Sequence, residues 1–216
     1  IYRVTFTDGA STECCGDHLW NVRTPLRKWK RKPATLMNTR ELLAKGLAHG
    51  NGNLQHFIPM VHPVAFPRRP KPLDPYLLGV LLGDGSLELT SIAVTTADPE
   101  LIDHLSAILP PDVSLHKSGP SRWLITTGKR GHTKGRNTVL QNLRAMGLTG
   151  ARAASKFIPR DYLFASVAQR IALLQGLFDT DGHVSCNRCT IEYSTVSALL
   201  ADSVTFLVQS LGGTVT

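Results

Sequence analysis

The chain has 216 residues, 42% of them apolar, enough to bury a core in one large or two small domains. Charged residues make up 19%, which excludes wholesale disorder, and no apolar run approaches the roughly 20 residues that a membrane span needs. The formal net charge of +8 and a pI near 9.6 suit an anionic partner, nucleic acid first, and suit plain solubilising charge equally well.

In chain order, residues 1–22 read as a hairpin: Ile1–Phe6 alternates, Asp8-Gly9 is a turn signal, and a second short strand follows. A basic cluster comes next, with Arg23, Arg27, Lys28, Lys30, Arg31 and Lys32 around Trp29. Asn38 or Thr39 can cap a short helix over 39–45. Residues 46–72, rich in Gly, His and Pro, predict a strand or two and then a linker, with a domain boundary near 66–73. From Leu73 the texture changes. Pro75 opens an apolar helix that runs to Gly83-Asp84-Gly85, and residues 86–97 alternate like one or two strands. Asp98-Pro99-Glu100 caps a helix to about Leu109, residues 113–128 predict a hairpin across Gly119-Pro120, and residues 138–148 predict a helix stopped at Gly147.

The order then starts again. Residues 170–182 form an apolar helix ending Asp179-Thr180-Asp181-Gly182, residues 183–195 a strand pair, and residues 197–213 a helix. Leu77–Gly85 and Leu174–Gly182 align residue for residue. The second copy stops where the first continues with a hairpin and a last helix, so on the order of 50 more residues are expected beyond it. The opening Ile1-Tyr2-Arg3, without a Met or a signal peptide, also reads as part of a longer polypeptide. Cys186 and Cys189 make one C-x-x-C without a matching second pair, more in keeping with thiols beside a strand pair than with zinc. A reduced intracellular setting fits the cysteine usage.

Each apolar helix ends in an acid between small residues and carries a glycine at a matching position, Gly79 and Gly176. If the helices pack about a pseudo-twofold axis, Asp84 and Asp181 arrive side by side at one end. Two such carboxylates repel unless a cation lies between them. Mg²⁺ prefers carboxylate, phosphate and water oxygens, and can activate a water and stabilise a leaving oxygen. Residues 77–85 and 174–182 resemble the two signature motifs of the LAGLIDADG homing endonucleases of inteins. The resemblance implies that the helices join two half-domains, that Asp84 and Asp181 are catalytic metal ligands, and that the following strands form saddle-shaped sheets in the DNA major groove. Leu82 departs from the pattern at a position often acidic but not catalytic. Lys156-Phe157-Ile158-Pro159 resembles the element that carries a catalytic lysine in intein endonucleases, where Lys156 would polarise the attacking water or balance phosphate charge.

Polar residues on the predicted strands supply the DNA surface. Thr90, Ser91, Thr95 and Thr96 lie on one strand pair, His116, Lys117, Arg122 and Thr126 on the next. Lys129, Arg130, His132, Lys134 and Arg136 form a basic loop, the best candidate for phosphate contact.

Residues 1–22 resemble the second conserved block of the Hint self-splicing domain, with His18 in place of the histidine that assists the first acyl shift. Cys15 stands where that block usually has Thr. The family's terminal Cys or Ser nucleophile and final Asn are absent, so the chain as it stands is not expected to splice. The basic 23–35 stretch suits either DNA contact or solvation.

The resulting expectation is an α+β chain: a partial, mainly β Hint-type domain at 1–66 and a pseudo-twofold LAGLIDADG endonuclease at 67–216. Its halves, at about 73–165 and 166–216, follow an αββαββα plan with the second incomplete. The expected activity is Mg²⁺-dependent cleavage of a long, nonpalindromic double-stranded DNA site by a monomer, inside an intein flanked by host exteins and following the host protein's intracellular location. The competing readings are a DNA-binding scaffold without cleavage and a splicing element with a decayed nuclease.

Overall fold

The computed structural model describes residues 1–128, 137–185 and 190–216. The chain divides into two compact units, one of residues 1–63 with 211–216 and one of residues 64–210. Helices alternate with small antiparallel sheets, an α+β arrangement. Among the described residues no helix is long and apolar enough to cross a membrane.

In the first unit, β1 (Tyr2–Thr5) and β2 (Ser11–Cys14) pair as a hairpin across Asp8-Gly9. β3 (Leu19–Val22) pairs with β4 (Thr35–Asn38), placing Trp20 opposite Met37. Between them lies the short helix α1 (Pro25–Trp29), capped by Thr24. α2 (Thr39–Lys45) starts at a capping box in which Asn38 Oδ1 accepts from Glu41 N and Asn38 N donates to Glu41 Oε2, so both orphan donors are satisfied. Trp20, Val22 and Met37 form a small core, to which Val4, Phe6, Cys14 and Leu42 add. The buried Thr39 hydroxyl accepts from Trp20 Nε1 at 2.9 Å, pinning the start of α2 to β3. The strands expected over 46–72 reduce to isolated bridges, Arg23 with Phe57 and Ala48 with Leu54. Prolines at 59, 63, 67, 70 and 72 remove the N–H groups a longer ladder needs.

The second unit opens with α3 (Pro75–Gly83), whose cap Asp74 accepts from the N–H groups of Tyr76 and Leu77. Leu77 through Leu82 are all buried, as expected of a helix apolar on every side. β5 (Gly85–Leu87), β6 (Ile92–Thr95), β7 (Ser114–Lys117) and β8 (Arg122–Thr126) form one antiparallel sheet in the order β5-β6-β8-β7. α4 (Pro99–Ile108) and α5 (Thr138–Ala145) bury Leu101, Leu105, Val139 and Leu143. After α5, Gly147 at φ +73° turns the chain so that Leu148 N–H returns to Leu143 O at 2.9 Å.

A 3₁₀ turn (Ala153–Ser155) and α6 (Arg160–Leu163) lead to α7 (Val167–Asp181). That helix starts three residues before the expected Arg170, because Ser166 and Gln169 make a capping box. β9 (Gly182–Ser185) pairs with β10 (Thr190–Tyr193), and α8 (Ala198–Ser210) follows. Arg170 is fully buried. Its guanidinium donates to Ala165 O, Val64 O and Ser210 Oγ and lies 5.0 Å from the Phe66 ring centre. The charge is thereby hydrogen-bonded although, among the described residues, no carboxylate meets it.

Candidate active site

The site is built where α3 and α7 touch backbone to backbone. A Cβ on Gly79 would collide with Leu173 O and lie 2.9 Å from Leu177 N. A Cβ on Gly176 would collide with Tyr76 O and lie 2.9 Å from Val80 N. The contacts are reciprocal and at matching motif positions, and only glycine permits them. The strands continue the match. Gly85 pairs with Val94 and Gly182 with Tyr193, while Thr95 N–H donates to Asp84 O and Ser194 N–H to Asp181 O, both at 3.2 Å.

Both helices end together, so the two acids share one neighbourhood. A Cβ at Gly83 would come within 3.2 Å of Asp181 Oδ2. Burial, then the Asp181 charge, pushes the Asp84 carboxyl above its ordinary 3.8, and Lys156 pulls it back. Burial likewise pushes Asp181 up against the pull of Lys156. Paired carboxylates that resist ionisation are what a cation would relieve. Among the described residues no cluster of three or more His, Cys, Asp or Glu side chains is gathered. Two carboxylates fit Mg²⁺, which typically takes one or two from protein and completes its shell with phosphate and water. A cleft of about 350 Å³ adjoins Asp181, lined also by Gly83, Lys156, Ser194 and Thr195 among others.

Lys156 is buried, and its ammonium donates to Leu81 O at 3.2 Å, Gly83 O at 2.8 Å and Gly85 O at 2.7 Å. Burial lowers its pKa and the two aspartates raise it again. The resemblance implies that this lysine polarises the attacking water or balances phosphate charge. The structure puts it on three backbone carbonyls at the end of α3.

The expected DNA-facing set is split by strand register. His116, Arg122, Thr126 and Thr95 share one face of the sheet, since His116 opposes Leu124 and Thr95 opposes Arg122. Lys117 does not join them. It opposes Trp123, on the face that carries the buried Ile125 and Val94, and its ammonium lies 5.4 Å from the Trp123 ring centre. Alternation along β7 imposes this, because His116 and Lys117 are neighbours. Arg122 is not a free cation either: its guanidinium meets Glu88 Oε1 at 3.5 Å, and Ser91 donates to the other oxygen of that carboxylate. Lys129, Arg130, Lys134 and Arg136 lie outside the described residues, as do Cys186 and Cys189.

In the first unit, Cys15 and His18 close one turn, His18 N–H donating to Cys15 O at 3.3 Å, and both side chains are exposed. The His18 ring meets Trp20 edge to face at 4.6 Å. Sequence reasoning named Thr39 only as a possible helix cap; its hydroxyl also lies 3.5 Å from Cys14 Sγ.

Residues 168–216 match the LAGLIDADG-like domain family. The matched span begins in α7 and includes Asp181. Across nearly the whole chain there is also similarity to two longer proteins. The replicative DNA helicase DnaB of Mycobacterium intracellulare is 29% identical over 98% of this chain, which spans 34% of that protein. A protein named probable translation initiation factor IF-2, from Thermococcus kodakarensis, is 26% identical over 94% of this chain, which spans 17% of it. The LAGLIDADG-like segment is thus part of a region shared with two proteins of unrelated names.

Proposed function

We propose that this chain is the DNA-cutting portion of an intein-borne LAGLIDADG homing endonuclease, a Mg²⁺-dependent, site-specific double-strand nuclease joined to part of a Hint splicing domain. The observation that carries the reading is the Asp84–Asp181 pair, brought to one end of α3 and α7 by the reciprocal Gly79 and Gly176 contacts. The matched contacts and strand registers support two pseudo-twofold-related halves. A region shared by a helicase and an initiation factor suits a mobile insert better than a common enzymatic role. On this reading residues 1–66 belong to the Hint domain, with Cys15 and His18 in its histidine block, and residues 67–216 to the nuclease. The flanking exteins are then the host protein.

Asp84 and Asp181 would hold the metal, each carried at a helix end, with Asp181 also lining the adjoining cleft. The chemistry a Mg²⁺ held by Asp84 and Asp181 would supply is a lowered pKa for the attacking water and charge stabilisation of the leaving oxygen. Water attack at phosphorus breaks the phosphodiester bond, and the chain's task is to hold the scissile phosphate against that pair. The sheet face bearing His116, Arg122 and Thr126, together with Lys129, Arg130, Lys134 and Arg136, supplies DNA contacts. Lys117, lying on Trp123, contributes at the sheet edge.

The test places the protein in its natural polypeptide context with Mg²⁺ and a plasmid carrying the host gene with this segment removed. One cut near the junction is expected. Asp84→Asn and Asp181→Asn should each abolish cutting and leave DNA binding in a gel-shift assay largely intact. Equal cutting by both variants and the parent would sink the assignment.

A further inference from the structure

We propose that Lys156 is a positioning residue: its ammonium clamps the backbone on both sides of Asp84 and so aims that carboxylate. The inference rests on Asp84 and Asp181 as the metal-holding pair. An ammonium has three N–H donors, and here three carbonyl oxygens take them, those of Leu81, Gly83 and Gly85. Gly83 and Gly85 flank Asp84 in the chain, so one cation fixes the peptide before it and the residue after it.

The remaining backbone groups of Asp84 are also committed, its N–H to Val80 O at 3.1 Å and its C=O to Thr95 N–H. Among the described residues, the carboxylate is left as the polar group of Asp84 without a hydrogen-bond partner. α3 has no basic residue in its last turn, although the last carbonyls of a helix lack intrahelical donors and attract positive charge. Lys156 supplies that charge from a distant part of the chain. Its own backbone is held in turn, Ser197 Oγ donating to Lys156 O at 2.7 Å, and its side chain is 5% exposed. An ammonium with all its protons engaged has none to give a water or a phosphate, so its action passes through Asp84. At the matching place α7 simply continues as helix through Asp181, and the acid is carried by helical hydrogen bonds.

The sign of one measurement separates this role from plain electrostatics. Removing a positive charge beside two carboxylates would by itself tighten cation binding. Loss of a positioning residue should weaken it, by roughly 10–100-fold on the pattern of groups that orient metal ligands. Mg²⁺ affinity of the full chain, measured by calorimetry, should therefore fall in Lys156→Met. Lys156→Gln, neutral but with two N–H donors, should recover part of the loss, whereas a role through charge alone makes the Gln and Met variants equal. Amide exchange gives a reading independent of metal. The Asp84 and Thr95 amides should exchange faster in Lys156→Met, while those of Leu174 and Leu177 in α7 stay as in the parent. Tighter or unchanged Mg²⁺ binding with unchanged exchange overturns the proposal. A parent chain that binds no Mg²⁺ defeats the metal reading, and the exchange rates then decide the clamp alone. Should Lys156→Met not fold, Lys156→Gln takes its place in both readings against the parent.

Discussion

In the segment of residues 75–95, Leu87 and Ile92 oppose one another across β5 and β6 and are 3% and 1% exposed. In the segment of residues 167–194, the matching pair is Val184 and Ile191 across β9 and β10, and these are 62% and 60% exposed. The local sequence pattern is the same, and so are the register and the helix contact. The surroundings differ: β6 has β8 on its other edge and shares its sheet with four strands in all, while β10 is paired with β9 in a sheet of two. Local pattern therefore decides which way a side chain points, and only the remaining elements decide whether it is buried.

The largest expected effect exploits that difference. Leu87→Ala should cost about 2–5 kcal/mol in urea denaturation, the usual range for a buried leucine. Val184→Ala should stay within about 0.5 kcal/mol, as surface changes do. A large loss at Val184 would mean that this face is covered in solution and would break the contrast. The next effect tests the likeness. Gly79→Ala and Gly176→Ala each press a methyl into the other helix's backbone and should cost about 1–3 kcal/mol, by similar amounts. One tolerated and one severe substitution would show that the helix contact is not reciprocal.

Much of the fold was legible where the chemistry is local. Pro75 and Asp98-Pro99 open their helices as expected, and Gly119-Pro120 turns its hairpin. Interactions spanning long stretches of chain were not legible. Nothing near Lys156 in sequence announces carbonyls at 81, 83 and 85, and nothing near Arg170 announces that a buried guanidinium will be satisfied from Val64 and Ser210. The face on which Lys117 lies was not legible for a different reason: its type suits DNA, but a shift of one residue along a strand changes the face. The candidate acids were found through repetition, since Asp84 alone reads as an ordinary helix end.

A smaller effect comes from the acids themselves. Burial and their mutual charge raise the folded-state pKa of Asp84, and burial that of Asp181, above the ordinary 3.8. A raised carboxyl pKa adds stability that is fully present below the unfolded value and is lost as pH rises through the folded one. Metal-free protein should thus lose stability as pH climbs through the carboxylate range above 3.8. Asp84→Asn or Asp181→Asn should flatten that decline, and Mg²⁺ should offset it most where both acids are ionised. Denaturation curves across this range, with and without Mg²⁺, measure all three. A flat profile unaltered by either variant would leave the acids uncoupled from one another and from folding.

The smallest effect lies where the two segments differ within the helix contact itself. Tyr76 OH donates to Asp179 Oδ2 at 2.7 Å, linking α3 to α7. The matching positions on the other side hold Leu173 and Leu82, both buried. One side of the helix pair thus carries a polar bridge where the other carries apolar packing. The phenol is held firmly as a donor, since burial and the Asp179 carboxylate both raise its pKa. Asp179 is exposed, so Tyr76→Phe should cost only about 0.5–1.5 kcal/mol, toward the lower end for a hydrogen bond that water can replace. Changing Tyr76 and Asp179 together to Leu copies the other side and removes both partners at once. It should then cost less than the two single changes added together, because neither polar group is left alone. Strict additivity in a double-mutant cycle would mean that the bridge contributes nothing, and that the asymmetry between the two sides is one of composition alone.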